Sequence, residues 1–287
     1  MLEVLFLLIG GNPRGLCGLA DLLPSAEQAP FVQTFSIGNL IDGSPSPYIR
    51  AEIDGQPAFF LLDTAEHISF VYPEAVSRSQ DEPLPSRDDV DYCSVVSSQR
   101  AEVSFAGDEA RELPIAVEGC GTEQRYQHGI SGHYSVGSLG VCGCAVLNLK
   151  AQTLTRMSEP DACSAWEPFH AMQMSQFNEG SEAVHIDASF GGHTVTTVAA
   201  TGLIYQQIPT ELFDLLLSEG KLNSVRVREN GLRSAKGPIE FKLGSYTTTL
   251  PGVRESDDEM AKIGMEILQG STIMFRHDGM VGIRFAD

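Results

Sequence analysis

Two short loops in the sequence carry the residue types for carboxylate chemistry. Asp63-Thr64-Ala65 follows the apolar run Ala58-Phe59-Phe60-Leu61-Leu62, and 137 residues further on Ala200-Thr201-Gly202 follows Val195-Thr196-Thr197-Val198-Ala199. Two carboxylates a hydrogen bond apart cannot both ionise, so they share one proton. One then acts as base toward a water while the other donates to the carbonyl under attack. Two loops of this kind could form such a pair with one acid from each. Asp63 supplies the first, and Ala200 offers a methyl group where the second belongs. Alanine cannot titrate, hold a water or donate a proton.

The elements that must position these loops are themselves repeated. Residues 48–53 alternate apolar and polar side chains, Asp54-Gly55 is a tight-turn signal, and residues 57–62 begin a second apolar run, which together read as a β-hairpin. Residues 183–190, Gly191-Gly192 and the β-branched run 194–198 read as the same hairpin again. At an offset of 137, Ala51 falls on Ala188, Gly55 on Gly192, Leu61 on Val198, Asp63 on Ala200 and Thr64 on Thr201, with no gap. Each copy continues into a short apolar segment, a proline and an expected helix, at 70–76 and 208–213, where the alignment slips by one residue. Each also closes on a glycine-containing segment followed by apolar runs: Gly129-Ile130-Ser131-Gly132 before 145–149, and Ile263-Gly264 before 272–275 and 280–285.

The expectation is a mostly β chain of two strand-rich lobes built by internal duplication. An N-terminal segment covers 1–30, the first lobe 31–156, a connection 157–181 and the second lobe 182–287. The connection holds Pro160, Pro168, the single tryptophan Trp166, for which core packing is expected, and room for a helical piece. Residues 77–91, acidic and with two prolines, read as an exposed loop.

These elements, twice in the same order, resemble the aspartic-protease superfamily, which includes two-lobed pepsin-like enzymes and the smaller dimeric retropepsins. The resemblance spans most of residues 31–287. It implies a two-lobed acid-protease-like β-barrel architecture with Asp63 and position 200 at the floor of an inter-lobe cleft. Thr64 and Thr201 would cross-brace the loops from beneath, and Ile130-Ser131-Gly132 and Lys262-Ile263-Gly264 would run beside them. The chain departs from the family at the chemistry. Ala200 replaces an aspartate, Ala65 replaces a glycine, and Glu66 and Leu203 stand where a small hydroxyl residue usually follows Thr-Gly. Gly202 is retained. The implied protein is a catalytically impaired relative that binds a peptide or protein in its cleft. The alternative is an active endopeptidase whose second aspartate was replaced at 200 or is supplied by another acid, with Glu66, Asp187 and Asp214 to be considered. Residues 94–100 are the expected neighbourhood of the first-lobe flap.

The bulk composition narrows the partners. A chain of 287 residues, 42% hydrophobic and 20% charged, is long enough to bury substantial cores. A formal charge of −19 argues against phosphate-tracking nucleic-acid binding and against an anionic membrane surface. No apolar stretch approaches the ~20 residues that cross a bilayer, so no transmembrane segment is expected. A monomer is expected, with no cofactor and no metal. Six cysteines are too sparse for a disulfide scaffold, and their spacing does not fix a connectivity. Residues 1–20 contain a short apolar run and Gly18-Leu19-Ala20, but Glu3 stands where a secretory signal has basic residues. A docked or frayed N-terminus is the favoured reading and export the alternative.

Other constellations are weaker. Gly129-Ile130-Ser131-Gly132-His133 approaches a nucleophile elbow, with His133 where the final glycine belongs. His128, His133, Cys142 and Cys144 lack the paired spacing of a zinc set. His67, beside the first loop, reads as a partly exposed polar residue.

Overall fold

The computed structural model describes residues 31–34, 36–37, 45–65, 70–72, 95–105, 111–118, 130–136, 144–157, 171–174, 185–228, 230–276 and 280–285. They are mostly strand and fall into three sheets. The chain enters through β1 (Phe31–Thr34) and then builds a first barrel from β2 (Ser36–Ile37), β3 (Pro47–Ile53), β4 (Gln56–Asp63) and β5 (Phe70–Val71). Its remaining strands are β6 (Val95–Phe105), β7 (Arg111–Glu118) and β8 (Gly132–Ser135). Next come β9 (Cys144–Asn148), β10 (Thr153–Met157) and β11 (Ala171–Met174).

The second barrel opens with β12 (His185–Phe190), β13 (His193–Ala199) and β14 (Gln207–Pro209). Helix α1 (Thr210–Ser218) follows, then β15 (Asn223–Val227), β16 (Arg233–Leu243), β17 (Tyr246–Ser256) and β18 (Ala261–Ile263). Helix α2 (Met265–Leu268), β19 (Thr272–Arg276) and β20 (Met280–Arg284) complete the chain.

Each barrel is a sheet returned on itself. The first runs β3-β4-β8-β5-β7-β6 and closes where β6 pairs with β3; the second runs β12-β13-β18-β14-β17-β16 and closes where β16 pairs with β12. The two are laid out in one register. In the first hairpin Tyr48 faces Leu61 and Ile53 faces Gln56; in the second His185 faces Val198 and Phe190 faces His193. Turn chemistry fixes that register. Asp54-Gly55 and Gly191-Gly192 both hold positive φ at two successive residues, the backbone that lets a two-residue turn follow the twist of its strands. The offset of 137 persists into β5 and β14, where Phe70 faces His133 and Gln207 faces Lys262. The slip expected after the loops therefore lies in the prolines and not in the strands.

Alternation then fills the interiors. Ile49, Ala51 and Ile53 of β3 face inward, as do Ala235, Ile239, Phe241 and Leu243 of β16. Phe190 and Phe241 meet edge to face at 5.1 Å inside the second barrel. Each such large side chain contributes about 1.5–3 kcal/mol relative to exposure.

The third sheet, in the order β1-β10-β9-β19-β20-β11, joins the halves. At its centre β9 and β19 run antiparallel with Val146 opposite Met274. Leu154, Leu147, Ile273 and Ile283 form one fully buried row across it. β11 lies inside the expected connection and is a strand, so a helical piece finds no support in the described part of that stretch. The opposite face carries buried Val146, Met274 and Cys144. Cys144 is disulfide-bonded, which removes it as a thiolate ligand for the zinc set. Trp166, His67, Glu66, His128 and residues 1–30 and 77–91 lie outside the described residues.

Candidate functional site

β4 and β13 each deliver a loop, and the two loops meet. Phe60 and Leu62 point into the core of the first barrel, so strand alternation sends Leu61 and Asp63 to the other face. Ala199 is likewise in the core, leaving Val198 and Ala200 on the outer side. Directly behind, the two threonines exchange bonds. Thr64 Oγ1 donates to the Ala199 carbonyl at 2.5 Å and accepts the Thr201 N–H at 3.2 Å. Thr201 Oγ1 donates to the Leu62 carbonyl at 2.5 Å and accepts the Thr64 N–H at 3.2 Å. Both side chains are buried, so all four bonds are shielded from water. Four buried bonds crossing between barrels fix the relative height of positions 63 and 200.

Asp63 is 6% exposed. Its Oδ1 accepts the Ala65 N–H at 2.9 Å, and the carboxylate also receives the Gly202 N–H. The carboxylate rests on Gly202 itself: a Cβ at that position would stand 2.1 Å from Asp63 Oδ2. Glycine is thus required at 202 for as long as an aspartate occupies 63. By the offset of the repeat, Ala65 stands to position 200 as Gly202 stands to Asp63. At Ala65 a methyl stands in place of the hydrogen that Gly202 presents to Asp63.

His133 comes from β8, which runs parallel to β4 with His133 opposite Leu61. Its Nδ1 is 3.6 Å from Asp63 Oδ2. The ring stacks on Phe70 at 4.8 Å and 19°, with Tyr72 edge-on at 6.0 Å. Burial pushes the Asp63 carboxyl up, but the His133 ring beside it, with the N–H groups of Ala65 and Gly202, outweighs that and holds the group below its usual range. Asp63 therefore stays ionised to lower pH than a free aspartate.

The segment before His133 is structural. Gly132 passes so close to β5 that a Cβ would come 2.2 Å from the Phe70 carbonyl oxygen. The Ser131 hydroxyl accepts the Phe59 N–H at 3.1 Å while the Ser131 N–H donates to the Phe59 carbonyl at 2.7 Å. A serine so engaged and 7% exposed is a clamp on β4, not a nucleophile.

Register also changes which residues correspond. Phe60 faces Gly132 and Thr197 faces Ala261, so Gly132 matches Ala261, His133 matches Lys262, and Ser135 matches Gly264. Ile130-Ser131-Gly132 and Lys262-Ile263-Gly264 both belong beside the loops, but they are displaced relative to one another by three positions. His133 was legible only as a flaw in a serine motif or a stray metal ligand; the parallel strand that carries it to Asp63 leaves no local sequence signal. Of the expected flap neighbourhood 94–100, the described residues 95–100 belong to the long strand β6 paired along β7.

Asp187 and Asp214, considered as sources of a second acid, belong to other elements. Asp187 is exposed on β12, opposite Thr196. Asp214 is on α1 and is paired with Arg233 at 2.7 Å. Among the described residues no three histidine, cysteine or acidic side chains gather in a metal-binding group. No protein-family model matches the chain, and no curated protein sequence matches it either.

Proposed function

We propose that the chain is a two-lobed protein of aspartic-protease descent, arisen by internal duplication, that binds an extended peptide or protein segment between its lobes without hydrolysing it by the two-aspartate mechanism. The observation that carries the reading is the pairing of Ala65 with Ala200. One methyl removes the second carboxylate; the other, by analogy with Gly202 beneath Asp63, crowds the place where it would lie. An aspartate replaced by engineering at 200 alone would leave a glycine at 65, so the double change favours a native alanine.

The remaining chemistry is one-sided. Asp63, kept ionised, can act as a base, but a peptide carbonyl opposite it meets a methyl and not a proton donor. His133 stands on the same lobe as Asp63 and does not replace a group from across the cleft. Losing one member of a catalytic unit removes most of its effect. The brace between Thr64 and Thr201 still holds the loops together, which supports a groove kept for binding.

Turnover of unfolded protein substrates is measured from pH 3 to 7 for the wild type, D63N, A200D and the double variant A65G/A200D. The expected result is no D63-dependent turnover in the wild type or in A200D, and acid-optimal cleavage inhibited by a statine-type compound in A65G/A200D. Robust wild-type turnover abolished by D63N would sink the proposal.

A further inference from the structure

Directly opposed residues in a sheet share a face, so side chains can be followed sideways across strands. Over the second barrel one continuous row runs Val198, Lys262, Gln207, Arg254, Ser234 and Arg226. Val198 stands on the face that carries Ala200. The matching row of the first barrel begins Leu61, His133 and Phe70. One frame therefore holds the stacked rings of His133 and Phe70 in one barrel and three cations in the other. Neighbouring strands lie about 4.8 Å apart, which places Lys262, Arg254 and Arg226 at intervals of roughly 10 Å.

The cations are unevenly compensated. Lys262 is paired with Asp258 at 2.5 Å. Arg254 lies over the ring of Tyr205 at 3.9 Å, and Tyr205 is 42% exposed. Arg228, at the turn after β15, reaches over β17 to donate its Nη2 to the Glu255 carbonyl at 2.6 Å. Burial, and then the charge of Arg254, lower the Arg228 pKa and outweigh the opposing charge of Glu255, whose carboxylate is engaged by Arg233, so two guanidinium groups crowd one another here. The Arg228 Nε is buried with no acceptor. Among the described residues no carboxylate lies in ion-pair range of Arg226, Arg228 or Arg254. On a chain of net charge −19 this is a local reversal of sign.

We propose that this wall is a carboxylate-binding surface: Arg228 and Arg254, with Lys262 beside them, receive an acidic side chain of an extended peptide lying in the cleft. The inference rests on the reading of the cleft as a peptide groove and names the class of peptide it takes. A carboxylate between the two guanidinium groups turns their repulsion into attraction, gives the Arg228 Nε an acceptor, and matches the planar donor fork of arginine. Asp258 beside Lys262 disfavours a more highly charged anion such as a phosphate dianion.

The test uses two fluorescently labelled decapeptides of alternating apolar and polar residues, identical except that the polar positions are Glu in one and Gln in the other. At low salt the wild type is expected to bind the Glu peptide about tenfold or more tightly than the Gln peptide, with the difference shrinking as chloride is raised. In R228Q/R254Q the difference disappears while Gln-peptide affinity holds. R254Q alone repeats the test without touching the Arg228 bond to the Glu255 carbonyl. Equal affinities in the wild type, or a difference that survives in both variants, would overturn the carboxylate surface and leave the groove standing.

Melting in succinate against inorganic phosphate and chloride separates the two claims. If neither peptide binds but succinate raises the melting temperature of the wild type and not of R254Q, the carboxylate surface stands and the peptide groove falls. If phosphate stabilises and succinate does not, the assignment to carboxylates is wrong.

Discussion

Replacing Thr201 by valine removes a hydroxyl and preserves shape. The loss leaves the Leu62 carbonyl and the Thr64 N–H without their partners in a site where Thr201 is fully buried. A buried backbone group left unsatisfied costs about 1–3 kcal/mol, so two cost about 3 kcal/mol after the extra methyl recovers part of the loss. At about 2–4 °C per kcal/mol for a domain of this size class, the expected fall in melting temperature is about 6–12 °C by differential scanning calorimetry. Thr64→Val strands the Ala199 carbonyl and the Thr201 N–H and is expected to cost the same. Thr201→Ser keeps the hydroxyl and should lie within about 1 kcal/mol of wild type. The double valine variant should cost less than the sum of the singles, because either loss already loosens the bonds the other depends on. A Thr201→Val protein melting with the wild type, or a large inequality between the two single variants, would refute the reciprocal brace.

Three further outcomes follow from the same geometry. Ala200→Asp alone sets a carboxylate against the Ala65 methyl and should destabilise by about 2–4 kcal/mol in urea denaturation, with Ala65→Gly restoring most of the loss. Replacing His133 by phenylalanine removes the leading influence that lowers the Asp63 pKa, so carbon-detected titration should show the carboxyl rising. A depressed carboxyl stabilises the fold above its unfolded pKa and loses that contribution as pH falls through the folded one; in the variant the Asp63 contribution should fade at higher pH.

Glu255 gives the sharper pH signature. Its carboxylate takes Arg233 Nε at 2.8 Å, Arg233 Nη2 at 2.6 Å, the Arg233 N–H at 2.7 Å and the Thr210 hydroxyl at 2.9 Å, and its pKa is lowered to about 2, led by the Arg233 hydrogen bonds. That contribution is present above about pH 4.5 and is lost as pH falls toward 2, up to about 3 kcal/mol. In Arg233→Gln the loss should move toward pH 4.5, read as a shift in the acid-unfolding midpoint.

Features that live within a few residues of one another were legible in the sequence. Asp54-Gly55 and Gly191-Gly192 announce their turns, and alternation on either side sets which residues face inward, so the hairpins and the loops they deliver followed from local pattern. Relations between strands were not. Gly132 and Gly264 look alike along the chain, yet the ladders match Gly132 with Ala261, because one glycine clears the Phe70 carbonyl and the other packs on Leu203 and Ile204. His133 reaches Asp63 through a parallel pairing, and Arg254 reaches the row of Lys262 through one parallel and one antiparallel pairing, all between distant segments. Linear spacing carries no trace of such pairings.

The sheet that joins the halves has a consequence for the order of folding. Each barrel closes within its own stretch of chain, whereas β1 pairs with β10 and β11 with β20 only after an entire barrel has formed between them. Loop closure over such separations is slow compared with hairpin formation. The joining sheet is therefore the last part to assemble, and refolding should show secondary structure well before the central ladder of β9 and β19 protects its amides from exchange. Until that ladder zips, the chain is two preformed rings on a tether, and the brace between Thr64 and Thr201 alone sets Asp63 against Ala200.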